Sequence, residues 1–415
     1  MKSQIQLLSQ GAYGCVYRPG INCKGNTENK KYITKIQKSD ESSQREIDIG
    51  IFIRKNIKNY TQMYAPIIKS CPVNLAKIKD SEIEKCEVIS KNKNQYKTPT
   101  YIANKIKYVG KDTLAQYMLD TFNEIEDITP FFAKMFEGHL YLLKSVEGLS
   151  KKSIIHFDIK ENNIIYNENT DQPIIIDFGL SFRVNQLKTP ESYVDAFYVY
   201  YEKYPPWCLE IVMISYIVQN EENWTTKVID ISILKSIMND FFNKNDIINS
   251  IAYYSPKKVE ESKRKWEDYI TKKFNNKTGI QIVEELVKSW ATWDKYALSV
   301  IFIFVLNDME LMKKNDSCIT NTFMGKYQNL LFDDILELPD KRMPISNIIK
   351  EIKSMITNIG ISDLKKVVQM ATKKRTEKEH NKSYKKQEKD ELHDDKIYGG
   401  RRRRPKKEKK TVDSK

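Results

Sequence analysis

Two short polar strings limit what this chain can fold into more than anything else in it. They are His156-Phe157-Asp158-Ile159-Lys160-Glu161-Asn162-Asn163 and Asp177-Phe178-Gly179. Between them, Ile164 to Tyr166 and Pro173 to Ile176 read as two short apolar strands separated by a polar turn. Such a hairpin returns the second string to the side of the first. Any fold of this chain must present both loops at one place.

The residue types in the two loops suit one chemistry. Asn163 follows Asp158 by five residues, and Asp177 lies fourteen residues beyond that. One carboxylate can accept or orient the proton of an attacking hydroxyl. A second carboxylate and an amide oxygen can hold Mg²⁺, whose hard-oxygen preference they match, beside the phosphates of a nucleotide. Asp158 is thus the candidate base, and Asn163 and Asp177 are the candidate metal ligands. A P-loop mechanism is excluded, since the chain has no GxxxxGK[ST] string.

The N-terminal segment supplies the other half of such a site. Gln4 to Leu8 and Cys15 to Tyr17 read as the strands of a hairpin whose tip is rich in small residues. Across Leu8, Ser9, Gln10, Gly11, Ala12, Tyr13, Gly14, Cys15 and Val16, backbone N-H groups can approach phosphate oxygens, and Val16 can cover an adenine ring. Lys35, on a third strand, would neutralise two phosphates. Glu46, on the helix predicted from Ser39 to Lys55, would hold it in place. A glycine-rich hairpin alone also marks ordinary turns, so the weight rests on these parts occurring in order.

In that order they resemble the eukaryotic-type protein kinases, over residues 1 to about 355. Trp293 to Ser299 is similar to the start of that family's buried helix, whose Asp, here Asp294, braces the catalytic loop. Leu338 to Pro344 is similar to the segment whose Arg, here Arg342, pairs with a Glu after the activation loop, for which Glu210 is the candidate. The resemblance implies an α+β, two-lobed protein kinase fold with a small antiparallel-sheet N-lobe and a larger helical C-lobe. It implies ATP with Mg²⁺, or Mn²⁺ in its place, and protein substrates. Lys at position 160 implies serine/threonine specificity through contact with the transferred phosphate. The insertions, the Lys/Asn/Ile-rich composition and the GGRRRR tail are similar to kinases of large DNA viruses of the mimivirus kind. Two alternatives stay open: a small-molecule phosphotransferase sharing the HxDxxxxN core, and a pseudokinase scaffold.

Departures from the family carry expectations of their own. Ser9 replaces the first glycine of the loop, and Ile33 stands where a small residue faces the adenine. Phe157 replaces the Arg that would bind a phosphorylated activation loop, so activity independent of that phosphorylation is expected. The activation segment runs from Asp177 to near Glu210, and the long stretch before Asp294 implies a helical insertion at about 211–293. His156 is expected to pack and bond backbone rather than act as a base, and His139 to be ordinary.

The remaining organisation follows from pattern and charge. Strands come first and helices later, giving an N-lobe over 1–110 with a broken, loop-rich insertion at about 59–95, and a C-lobe over 111–360. The formal charge is +14, but residues 371–415 carry 18 Lys and Arg against 9 Asp and Glu. That tail lacks the apolar residues to offset its ordering entropy and is expected to be disordered, with weak contact to nucleic acid or another anionic surface as its one interaction. The six cysteines form no CxxC pair, which argues against a zinc site or a disulfide framework and for a reducing, intracellular location: host cytoplasm or virion if viral, and not secreted. The longest apolar run, Ala297 to Leu306, falls short of the roughly 20 residues of a membrane span, so no membrane contact is expected.

Overall fold

A computed structural model describes residues 5–11, 14–75, 83, 85–90, 101–124, 127–314 and 321–373. The strands β1 (Gln6–Gln10), β2 (Gly14–Arg18) and β3 (Tyr32–Lys38) open the chain, and α1 (Glu41–Asn56) follows them. Asp40 accepts from the Ser43 amide while the Ser43 hydroxyl accepts from the Asp40 amide, a reciprocal cap that sets where α1 starts. Next come β4 (Tyr64–Ala65), β5 (Lys69–Val73), the single turn α2 (Glu87–Ser90) and β6 (Tyr101–Lys107).

The large sheet has the order β1-β2-β3-β6-β5 and is antiparallel throughout. Side-chain alternation gives it two different faces. Val16 pairs with Lys35 on one face, and Cys15 pairs with Ile36 on the other. Cys15, Tyr17 and Ile36 join Val73, Tyr101 and Ala103 in an outer core, which Ile83, Cys86 and Ile89 complete. The cleft side has its own cluster of Ala65, Ile67, Ile106, Val109 and Ile174, against which Ile33 packs.

The second lobe is mostly helical. Helices α3 (Leu114–Glu124) and α4 (Thr129–Ser150) lead to β7 (Ile154–Ile155), β8 (Ile164–Asn167), β9 (Gln172–Ile176) and β10 (Phe182–Arg183). Strand β4 runs parallel to β9, so the segment after α1 is hydrogen-bonded to the hairpin that joins the two polar strings. Helix α5 (Pro190–Ala196) follows β10. The interruption before Asp294 is filled by α6 (Leu209–Asn220), α7 (Ile231–Lys244), α8 (Asp246–Tyr254), α9 (Pro256–Phe274) and α10 (Gly279–Val287). Helix α11 (Trp293–Asp308) is apolar on nearly all sides and buried accordingly. Helix α12 (Phe323–Leu336) packs beside it, α13 (Ile345–Thr357) packs against α4 and α12, and a further helical stretch covers 361–373. Among the described residues no helix is long and apolar enough to cross a membrane.

The α+β arrangement expected from the element order, a small antiparallel-sheet lobe before a larger helical one, is the one observed. The stretch at 59–95, read as loop and short elements, contributes β5, the edge strand of the main sheet, where Pro72 is tolerated. One expectation is corrected: that of no disulfide framework fails. Cys15 is bonded to Cys86 and Cys23 to Cys71, with Cα separations of 6.1 and 5.8 Å, within the range that bond needs. The partners lie 71 and 48 residues apart, and only the folding of a non-strand segment against the sheet brings each pair together: Cys15 and Cys71 lie in strands, whereas Cys86 and Cys23 do not. Disulfides persist in oxidising surroundings, so the cysteines no longer argue for a reducing setting. Most of the basic tail lies outside the described residues.

Candidate active site

The site forms where the cleft face of the sheet meets the β8–β9 hairpin. Lys35 projects from β3 and its ammonium lies 3.2 and 3.1 Å from the carboxylate oxygens of Glu46 and 2.9 Å from Oδ1 of Asp177. Gln37, two residues along the same strand face, donates to Glu46 at 3.1 Å. Burial opposes the charge on Lys35, but attraction from Glu46 and Asp177 outweighs it and holds the pKa above the ordinary lysine value. Burial likewise opposes ionisation of Asp177, and Lys35 overrides it, so Asp177 stays below the usual carboxylate range. Glu46, more deeply enclosed, is shifted upward by burial in spite of Lys35.

Asp177 adopts a left-handed backbone conformation with φ of 61°, a strained choice for a non-glycine residue of the kind that clusters at functional sites. Gly179 lets the Asp177 carboxylate lie close. A Cβ there would sit 3.2 Å from Oδ1 of Asp177, and its amide donates to that same oxygen at 3.3 Å. In the N-terminal hairpin, a Cβ on Gly14 would collide with the carbonyl oxygen of Ile36, so only glycine lets β2 lie this close to β3.

The catalytic string is arranged around Asp158. The amide nitrogen of Asn163 donates to Oδ2 of Asp158 at 2.9 Å and to its backbone carbonyl at 2.8 Å. That leaves the Asn163 amide oxygen as the atom available to a cation. Together with the Asp177 carboxylate it makes a hard-oxygen pair suited to magnesium. The Lys160 ammonium lies 3.0 Å from Oδ2 of Asp158. Oδ1 of Asp158 accepts from the hydroxyl of Tyr204, and burial followed by the Asp158 charge pushes the Tyr204 phenol above its ordinary value.

Bracing residues lie behind this layer. Asp294 at the start of α11 accepts from the amides of His156 and Phe157 at 2.8 and 3.0 Å. His156 bonds the Ile176 carbonyl at 3.0 Å through Nε2 and receives the Asp158 amide on Nδ1 at 3.3 Å. Arg342 pairs with Glu210 at 2.7 and 3.2 Å, both fully enclosed. Phe157, with φ of 68°, is surrounded by Trp207, Phe182, Phe197 and Trp293 at centroid distances of 5.0, 5.1, 5.5 and 6.5 Å. From α1, Arg45 donates to the Asp195 carbonyl at 3.2 Å, and Phe52 lies under the Arg183 guanidinium at 3.9 Å.

Lys35, Glu46, Asp158, Lys160, Asn163 and Asp177 are therefore brought to one cleft. Leu8, Ser9, Gln10, Gly11, Gly14, Cys15 and Val16 form the hairpin above it, but Cys15 faces away from the cleft and into the outer core. Ala12 and Tyr13 lie outside the described residues. Sequence reasoning missed Tyr204, Gln37 and the buried pair of Lys295 with Asp334. Lys295 had a usable signal, a charge inside a helix apolar on every side; Tyr204, in an aromatic-rich stretch, had none.

No family model matches the chain. Over 180 residues, 43% of its length, it is 27% identical to the striated muscle preferentially expressed protein kinase of Danio rerio, and the match takes in 5% of that relative. Among solved structures it is similar to the autoinhibited serine kinase domain of the giant muscle protein titin, with a TM-score of 0.37 and 15% identity over 86% of this chain and 83% of that one.

Proposed function

We propose that this chain is a protein kinase that transfers the γ-phosphoryl group of ATP to serine or threonine hydroxyls of proteins. The observation that carries this is the meeting in one cleft of Asp158 and Asn163 with Asp177, Lys35 and Glu46, five groups from four separated parts of the sequence. Asp158 would take the proton of the attacking hydroxyl, and Lys160 beside it would face the transferred phosphate. Lys35 would meet the α and β phosphates. Asn163 and Asp177 would hold Mg²⁺ or Mn²⁺, which when bound neutralises the developing phosphate charge. Catalysis would then be mostly positioning and electrostatic stabilisation.

The N-lobe would span 1–110 and the C-lobe 111–360, with helices α6 to α10 as the enlargement of the C-lobe and the tail beyond 371 as an anionic contact. A nucleotide-binding scaffold without turnover is the second reading, and the occupation of Asp158 by Tyr204 favours it. Incubation with labelled ATP, Mg²⁺ and casein or a basic protein, beside Asp158→Ala, separates the two. Phosphoserine or phosphothreonine from the wild type alone supports the kinase. Equal signal from both proteins removes it, and binding of ATP without transfer leaves the scaffold.

A further inference from the structure

The nucleotide hairpin is held from behind as well as from within the sheet. Because side chains alternate along β2, Val16 faces the cleft while Cys15 and Tyr17 face outward, both fully buried. What buries them is the segment around α2, which belongs to no sheet. Cys86 is bonded to Cys15, the Tyr17 hydroxyl donates to the Ile83 carbonyl at 3.4 Å, and the Glu87 amide donates to the Gln10 side chain at 2.9 Å. Both strands of the hairpin are thus fastened to one cap, and one of these fastenings is covalent. The two disulfides differ in access: Cys15 and Cys86 are wholly enclosed, whereas Cys23 is exposed and Cys71 half-buried.

The geometry points to Cys15–Cys86 as a covalent brace that sets the position of the nucleotide hairpin, so that the nucleotide-binding form of this protein is the oxidised one, made by thiol–disulfide exchange with a disulfide donor. In that step the Cys15 and Cys86 thiols each lose a proton and the S–S bond forms between them. The two electrons and two protons pass to the donor disulfide, which leaves as two thiols. The role assigned to the hairpin rests on the kinase reading; the brace itself does not. A hairpin fixed before the ligand arrives loses less freedom on binding, which is where the brace would enter the affinity.

The test uses the full chain folded in a glutathione redox buffer, with Cys86→Ser and Cys71→Ser alongside. Non-reducing peptide mapping after alkylation is expected to recover the Cys15–Cys86 linked peptide. Cys86→Ser is expected to bind Mg²⁺·ADP about tenfold more weakly by calorimetry, and to exchange the amide hydrogens of residues 5–18 faster, while Cys71→Ser does neither. A doubly alanine-substituted Cys15/Cys86 chain, checked by circular dichroism, guards against a folding defect peculiar to the serine. Alkylated, unlinked Cys15 and Cys86 in the wild type, or unchanged hairpin exchange in Cys86→Ser, would overturn the brace. Faster exchange with no nucleotide bound by any form would leave the brace standing and remove the kinase reading instead.

Discussion

The hydroxyl of Tyr204 donates to Oδ1 of Asp158, so the candidate base is already engaged by a residue of the chain's own loop between α5 and α6. A substrate hydroxyl must displace this contact to reach the carboxylate. Hydrogen bonds to charged groups are worth about 1.5–3 kcal/mol. Tyr204→Phe, which keeps the ring and removes only the donor, is therefore expected to raise kcat/KM by about tenfold in a peptide phosphorylation assay. A fall in activity would mean that Tyr204 helps to place Asp158 rather than to cover it.

Asp158→Asn removes the proton acceptor and keeps the shape. General-base loss costs about 10²- to 10⁴-fold, so turnover should fall by that factor with nucleotide affinity nearly unchanged. Parallel steady-state kinetics and calorimetry check both halves. Nearly full turnover would shift the base elsewhere.

Phe157 packs on the rings of Phe182, Phe197 and Trp207, so the segment that carries them is held by aromatic contacts, and on the proposed kinase reading it needs no phosphate to place it. Phosphatase treatment is accordingly expected to leave activity unchanged. Phe157→Ala should cost about 3–5 kcal/mol by denaturant titration, the usual penalty for emptying a buried aromatic site, and lower activity with it. Activity abolished by phosphatase would contradict this account.

The Glu210 and Arg342 pair is sealed from solvent. Removing one partner leaves the other charge buried alone, a loss of about 3–5 kcal/mol. Glu210→Gln should show it as a lower thermal midpoint, and Glu210→Leu combined with Arg342→Met should recover part of it.

His139 bonds Tyr327 at 2.7 Å and stacks on Phe302 in the helical core, and burial lowers its pKa from 6.5 to about 3. The folded form stays neutral where the unfolded chain takes up a proton. The associated stability is thus complete above pH 6.5 and is lost as the pH falls toward 3, by at most about 1.4 kcal/mol per pH unit. His139→Phe should flatten that slope between about pH 6.5 and about 5 in urea titrations, where few carboxylates titrate. An unchanged slope would place the acid sensitivity in other groups.

Much of the site was legible because its chemistry is written in short strings. Asp158, Asn163 and Asp177 are tied by one hairpin, and the spacing of a hairpin is a local property. Lys35 and Glu46 followed from a strand and a capped helix, also local. Tyr204 was not legible: it reaches Asp158 across 46 residues through a loop whose path depends on the aromatic cluster around Phe157. The disulfides were misjudged for the same reason, since a cysteine's partner depends on which distant segments pack together and on which way each side chain faces.

Residue order by itself determined the sheet-then-helix division, the two polar loops of the candidate site and the placement of most of the net positive charge in the tail, because periodicity, turn chemistry and composition act over a few residues at a time. Tertiary structure alone decided that Lys35 shares its charge between Glu46 and Asp177, that Tyr204 rests on Asp158, and that Cys15 turns from the cleft to meet Cys86. Those are encounters between distant segments. Their energies come from burial and charge in enclosed spaces that exist only once those segments have packed together, and for Lys35 with Asp177 only once both lobes have formed.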